Sequence, residues 1–124
     1  GKNYGWPVIT YGIDYSGASI GEGAVKDGME QPVYYWDPVI APSGMTFYTG
    51  TRYRGWKGNL FIGSLTPGAL VRLEMTNDSV TRETRYLGEL NERIRDVVQG
   101  PDGYLYLLTD NAMGRILRVM PAAR

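Results

Sequence analysis

The sequence contains no cysteine and no histidine among its 124 residues. Without cysteine, the chain cannot form a disulfide, a zinc–thiolate site or a thiol nucleophile. Without histidine, it lacks the commonest general base, the base of a Ser-His-Asp triad and every imidazole metal ligand. The chain therefore lacks the side chain that most often performs acid–base catalysis.

Net charge and long apolar runs are also missing. Lys plus Arg and Asp plus Glu number 13 each, which argues against a nucleic-acid partner, since such partners require a clustered cationic surface. No apolar run reaches the ~20 residues of a membrane span, and no signal peptide is visible. The chain begins at Gly1 without a methionine, so we expect it to be a piece of a longer protein.

Glycine, proline and tyrosine are frequent, with 17, 7 and 10 residues respectively. Such a composition is typical of many short strands joined by turns, and no sustained helical period is present. Residues 1–30 are predicted to form an ordered loop. We predict strands at 31–36, 44–48, 59–65, 70–75, 79–87, 94–99, 104–109 and 115–120. The strand at 59–65 is apolar on both faces and should be buried, and the strand at 79–87 is polar and should be an edge.

The strands repeat in a regular order. Four strands are followed by three with similar spacing, and the last hairpin turns at Gly100-Pro101-Asp102-Gly103, where Asp-Gly suits the positive φ values of a hairpin. Four strands in ~45 residues are typical of a propeller blade. We therefore predict an all-β chain of propeller-type antiparallel blades. It would be one partial unit, with a first blade plus a leading strand at 31–90 and a second blade at 91–124.

A set of motifs supports this prediction. They lie at residues 1–7, 30–36, 41–45, 93–97 and 100–103. In this order and spacing, the sequence resembles the soluble dehydrogenases of bacteria that oxidise glucose, aldose sugars or sorbosone with pyrroloquinoline quinone (PQQ). The resemblance covers essentially the whole chain. It implies a six-bladed propeller, of which this chain would be about two four-stranded blades from the C-terminal part, and a periplasmic or secreted location.

The resemblance also implies a chemistry. In this family a histidine base takes the hydroxyl proton of the sugar, hydride passes to PQQ, and calcium ions bind the cofactor and brace the fold. The histidine and the main calcium site of the family lie outside the part that this chain matches. We therefore assign no catalytic and no metal-binding residue. The loop carboxylates Glu22, Asp27, Glu30 and Asp37 lack the spacing of a calcium-binding EF-hand.

Six residues match positions at the family's ligand site. Arg93 and Arg95 resemble paired arginines that contact PQQ carboxylates, and their i, i+2 spacing on a strand places both on one side. Val39 and Thr66 are also assigned to the cofactor, although Thr66 stands where relatives often have a lysine. Tyr34 and Trp36 are assigned to the sugar.

Each assignment has a structural alternative. The two arginines could form ion pairs with Glu92 and Asp96 on a solvated strand face. The aromatic residues at 34–36 could serve packing, because aromatic side chains bury large areas in any case. The motif at 3–6 is interpreted as a structural lock of the loop, with a platform for a sugar as the less favoured alternative.

Three functions remain open. The chain could be the C-terminal propeller part of a PQQ-dependent sugar dehydrogenase, not catalytic alone because the histidine is missing. It could be a non-catalytic oligomeric module that binds a sugar or an anion, or a fragment without activity. Two blades leave open sheet faces, so we expect either the remainder of the propeller as partner or a homo-oligomer. Three copies would make six blades, with the strand at 31–36 exchanged between neighbours.

Overall fold

The computed structural model describes residues 1–122, and the chain divides into two units, Gly1–Val39 and Ile40–Arg124. The seven strands found among the described residues all belong to the second unit. Within residues 1–122 the only helical element is one 3₁₀ turn, Gly88–Leu90, and no helix has the length and apolar character needed to span a membrane. The prediction of an all-β chain is confirmed.

The first sheet has four antiparallel strands in sequential order. They are β1 (Pro42–Phe47), β2 (Leu60–Ser64), β3 (Ala69–Thr76) and β4 (Ser79–Tyr86). β2 lies inside the sheet and is almost wholly buried, as its apolar sequence predicts. β4 is the outer edge and carries polar and charged side chains, which protect an edge from pairing with other chains.

The second sheet has three antiparallel strands, β5 (Ile94–Gln99), β6 (Leu105–Thr109) and β7 (Ile116–Arg118). The turn between β5 and β6 closes through the Gly103 N–H, which donates to the Gly100 oxygen at 3.0 Å. Gly103 has φ +80°, whereas Asp102 does not have a positive φ. The predicted pair of positive φ values is thus wrong for Asp102, whose side chain instead accepts the Tyr104 N–H at 3.2 Å.

The two sheets share one apolar core. Its buried members are Tyr48, Tyr53, Phe61, Leu70, Ile94, Val97, Leu105 and Leu107. Burial of one such large side chain contributes about 1.5–3 kcal/mol. Polar bonds join the sheets as well: the Ser43 hydroxyl of β1 donates to the Ile94 oxygen of β5 at 2.6 Å. The core is continuous from the first sheet to the second.

The predicted strand at 31–36 is wrong, because these residues form no strand in the structure. Pro32 lacks the N–H that a strand interior requires, and the neighbouring side chains bond to the loop that precedes them. Tyr35 stacks on Tyr11 with ring centroids 3.9 Å apart, and the Gln31 side chain donates to the Ala24 oxygen at 3.1 Å. This segment belongs to the N-terminal unit by its contacts.

The N-terminal unit is built from turns. Gly5 has φ +86° and accepts the Val8 N–H at 2.6 Å. The Glu30 N–H donates to the Asn3 oxygen at 2.8 Å, so the two ends of the loop are joined. The only ladder contact within residues 1–39 is a single bridge between Ile13 and Ser19.

Candidate functional site

Arg93 and Arg95 meet at one carboxylate, that of Asp110. Arg93 donates to Asp110 Oδ2 from Nε at 3.1 Å and from Nη2 at 2.8 Å, and Arg95 donates to the same oxygen from Nη2 at 2.8 Å. The sheet register explains the meeting, since Ile94 pairs with Thr109 and Asp110 directly follows. The Asp110 N–H also donates to the Arg93 oxygen at 2.8 Å. The predicted placement of both arginines on one side agrees with this geometry.

The cluster carries a net positive charge, since two guanidinium groups face one carboxylate. The hydrogen bonds from Arg93 and then from Arg95 hold the pKa of Asp110 below its usual value, against the opposing effect of partial burial. The side chains of Arg93 and Arg95 are 51% and 53% exposed. Within residues 1–122, Nη1 of each arginine has no hydrogen-bond partner. The cluster can therefore accept a further anionic group.

The predicted ion pairs of Arg93 and Arg95 with Glu92 and Asp96 are wrong. Glu92 accepts from Arg115 Nη2 at 2.6 Å and from the Asn111 side chain at 2.7 Å. Asp96 Oδ1 accepts the Val97 N–H at 2.8 Å. The prediction considered only residues adjacent in sequence, whereas the partner of both arginines, Asp110, directly follows the next strand, β6. Counting the hairpin register outward from the turn at 100–103 could have found Asp110.

Thr66 lies in the turn after β2 and is exposed. The same turn approaches the chain just before Arg93, because a Cβ placed on Gly68 would lie 2.3 Å from the Glu92 oxygen. The Ser64 hydroxyl fixes the base of the turn through the Ile40 oxygen at 2.8 Å. Thr66 thus offers a neutral hydroxyl, and no cation, on a turn that is close to the backbone of the arginine segment.

Trp36 and Val39 line a groove of about 690 Å³ in the N-terminal unit. The lining is largely apolar and aromatic; it includes Tyr4, Trp6, Ile9, Tyr11, Ile13, Tyr15, Ile20, Pro32 and Tyr35, with Asp14, Glu30 and Gln31 as polar members. Tyr34 does not line the groove, but its ring packs edge-on against Trp36 at 5.2 Å and 83°. Of the two residues assigned to a sugar, only Trp36 therefore borders this space.

The motif at 3–6 has two roles. Asn3 and Gly5 do lock the loop, since Asn3 Oδ1 accepts the Gly5 N–H at 2.9 Å. Tyr4 and Trp6 were also interpreted as parts of the lock, but their side chains are 53% and 70% exposed and line the groove. Their spacing from the lock residues gave no signal of this, because alternate side chains of an irregular loop follow no fixed period.

The carboxylates of the N-terminal loop do not cluster into a metal-binding site among the described residues. Glu22 pairs with Lys26 at 2.6 Å and Glu30 with Lys2 at 3.3 Å. Among residues 1–122, no group of three or more acidic side chains is placed to hold a metal ion.

Known proteins are similar to this chain in sequence. The family model described as "Glucose / Sorbosone dehydrogenase" matches residues 1–118. The aldose sugar dehydrogenase YliI of Escherichia coli is 48% identical over 98% of this chain and 33% of its own length. Quinoprotein glucose dehydrogenase B of Acinetobacter calcoaceticus is 35% identical over 60% of this chain and 17% of its own length.

Solved structures agree. A crystal structure of a glucose dehydrogenase superposes with a TM-score of 0.93 at 52% identity, covering 98% of this chain and 36% of that chain. The apo-form of the soluble aldose sugar dehydrogenase from Escherichia coli gives 0.92 at 47% identity, over 98% of this chain and 36% of that chain. The chain thus spans about a third of the length of these relatives, and the predicted propeller-type blades are confirmed. This chain belongs to the glucose/sorbosone dehydrogenase family.

Proposed function

We propose that this chain is part of a sugar dehydrogenase that uses PQQ, and that Arg93 and Arg95 bind carboxylates of the cofactor. The observation that carries the proposal is the convergence of both guanidinium groups on Asp110 with Nη1 of each still unpaired within residues 1–122. PQQ is a planar tricarboxylate, and guanidinium forks suit carboxylates in both charge and geometry.

The donor set fits such a ligand, though not completely. Two cations face solvent, and the turn that carries Thr66 lies against the segment before Arg93. Thr66 can donate one hydroxyl hydrogen bond, which is weaker than a bond from a charged group. When bound, PQQ would accept the hydride that the sugar loses. The chain's own contribution would be to bind and orient the anionic rim of the cofactor.

The sugar contact is assigned to Trp36, and Val39, which lines the same groove, is assigned to the cofactor. Aromatic faces pack well against the C–H groups of sugars because the rings are apolar on the face and hold their shape. Tyr34 would act through its edge-on contact with the Trp36 ring. No histidine is present in the 124 residues, so the base that takes the hydroxyl proton would belong to the remaining two thirds of the family's length.

Exposed apolar side chains on the two sheets indicate that another part of the protein, or another chain, covers them. Met45, Phe47 and Ile116 are 68%, 56% and 72% exposed on strands β1 and β7. Sheet surfaces of this kind are normally covered. We propose that the sheets are two neighbouring blades of a propeller whose other blades cover them, in a periplasmic protein. A trimer of two-blade chains is the competing arrangement.

A non-catalytic binding module is the second candidate function, favoured by the missing histidine. Such a module would bind a sugar at the aromatic groove or an anion at the two arginines without redox chemistry. Sugar binding that does not require PQQ would favour it. The molecular mass in solution distinguishes a trimer of this chain from a monomer.

The test is a PQQ titration of the chain, followed by the shift in melting temperature. The double variant Arg93→Ala/Arg95→Ala should weaken PQQ binding at least about tenfold, because hydrogen bonds to charged groups contribute about 1.5–3 kcal/mol each. The control Arg82→Ala/Arg85→Ala removes the same charge from the exposed edge strand β4 and should leave PQQ affinity within about twofold. Equal affinities in all three proteins would refute the assignment of Arg93 and Arg95 to the cofactor.

A further inference from the structure

We infer that Asp110 is a positioning residue that holds the forks of Arg93 and Arg95 ready for the anionic ligand. The inference rests on the proposed function, because the ligand is the carboxylate rim of PQQ. It also makes a statement about the protein without ligand, namely that the two arginine side chains are ordered before binding and that one carboxylate orders them.

The geometry singles out Asp110. All three hydrogen bonds from the arginines end on its Oδ2, at 3.1, 2.8 and 2.8 Å. Both arginines are about half exposed, so packing does not fix them. Within residues 1–122, neither guanidinium group has another side-chain or backbone acceptor. Long charged side chains lose much rotamer freedom when a ligand orders them, and this cost falls when they are ordered beforehand.

The turn that carries Asp110 is held by other bonds. Glu92 accepts from Arg115 at 2.6 Å and from Asn111 at 2.7 Å. The Arg115 N–H donates to the Thr109 hydroxyl at 2.8 Å. The backbone N–H of Asp110 is bound to the Arg93 oxygen and does not need the side chain. Substitution of the Asp110 side chain should therefore change the arginines and leave the turn intact.

Two effects of Asp110 on an anion oppose each other. Its carboxylate orders the guanidinium forks, which favours binding, and its negative charge repels the anion, which disfavours binding. The repulsion acts between partly exposed groups and is screened by salt, since the Debye length falls from about 10 Å at 0.1 M to about 3 Å at 1 M. The ordering effect is local and depends far less on salt. Ionic strength can therefore separate the two.

The experiment compares the wild type with Asp110→Asn, which keeps the size of the side chain and removes its charge. PQQ should bind the variant about threefold more weakly at about 0.1 M salt, where the lost repulsion offsets part of the lost order. At about 1 M salt the difference should grow to about tenfold. A ratio that stays constant or shrinks with salt, or a variant that binds more tightly at both concentrations, would overturn the inference.

A second measurement needs no PQQ. In the ligand-free wild type, ¹⁵N NMR should show a slowly exchanging Nε–H for Arg93, because it is bonded to Asp110. In Asp110→Asn that proton should exchange faster and the Nε signals of Arg93 and Arg95 should show greater motion. Unchanged signals would mean that Asp110 does not position the arginines, whatever the affinity for PQQ.

The matched control is Glu92→Gln, which weakens the other anchor of the same turn and leaves both arginine–Asp110 contacts in place. Its PQQ affinity and Arg93 exchange should resemble the wild type; a loss equal to that of Asp110→Asn would assign the effect to the turn and refute positioning. Failure of the proposed function is recognised separately. It would appear as no effect of Arg93→Ala/Arg95→Ala on PQQ binding, while the NMR comparison still decides whether Asp110 orders the two side chains.

Discussion

The hydroxyl of Tyr53 bridges β6 and the residue that follows β7, and its removal should destabilise the protein. Its oxygen accepts the Leu105 N–H at 2.7 Å, and its proton donates to the Val119 oxygen at 2.9 Å. Val119 N–H donates directly to the Leu105 oxygen at 2.9 Å, so the hydroxyl completes the other half of this strand pair. A tyrosine hydroxyl is protonated at neutral pH, and burial raises the pKa of Tyr53 further, so the hydroxyl can donate.

Tyr53→Phe leaves the N–H of a fully buried residue, Leu105, without its partner. A buried donor left unpaired costs about 1–3 kcal/mol, and the ring itself stays in the core. We expect the free energy of unfolding to fall by about 2 kcal/mol. The assay is urea unfolding followed by tryptophan fluorescence, since Trp56 stacks on Tyr53 at 4.5 Å. The m-value should not change, because the surface exposed on unfolding is the same.

The matched control is Tyr106→Phe, which removes a hydroxyl that donates to Asp102 at 2.8 Å at a partly exposed site. Water can replace that bond, so the free energy of unfolding should stay close to the wild type. The reasoning is refuted if Tyr53→Phe costs no more than Tyr106→Phe. That outcome would mean that Leu105 and Val119 move together to form a direct bond.

The remaining predictions concern the stability of the turn at Gly68 and the loss of stability at acid pH. Gly68→Ala should lower the free energy of unfolding by at least about 2 kcal/mol, since φ is +96° and the new Cβ would lie 2.3 Å from the Glu92 oxygen. Gly55→Ala, with φ +78° and open space around it, should cost only about 1 kcal/mol; equal losses in chemical unfolding would contradict the steric argument. The lowered pKa of Asp110 in the fold gives stability that is present above the unfolded-state pKa and is lost as pH falls through the folded-state pKa. Stability measured from neutral to acid pH should therefore decline less steeply in Asp110→Asn, and an identical slope would contradict this.

Most of the strands followed from local sequence. β2 was recognisable because Leu60, Phe61 and Ile62 form an apolar run bounded by turns, and β4 because most of its side chains are polar or charged. Turn residues fixed the ends within one or two positions. The prediction of a strand at 31–36 failed because a strand requires a neighbouring strand to pair with. The aromatic residues of this segment instead include Tyr35, which stacks on Tyr11.

The candidate site was predictable in part. The motif singled out Arg93 and Arg95. Arg93 directly precedes β5 and Arg95 is its second residue, which fits the expected common side. Asp110 lies 15 residues from Arg95 along the chain, so only the register of the hairpin brings it near. A binding surface at Trp6 was only the less favoured alternative for a related reason. An irregular loop directs its side chains through turns such as that at Gly5, and composition does not encode those directions.

The core that joins the two sheets has a consequence for how this chain can be divided. Its buried side chains come from both sheets and from the loop between β1 and β2, and the bond from Ser43 to the Ile94 oxygen spans 51 positions of sequence. The connection at residues 87–93 looks like a boundary between repeats, but it does not separate independent folding units. A cut there would expose half of the core on each piece. The smallest part of this unit that keeps an apolar interior is the pair of sheets, so insertion, duplication or exchange between relatives should respect the pair and not the single blade.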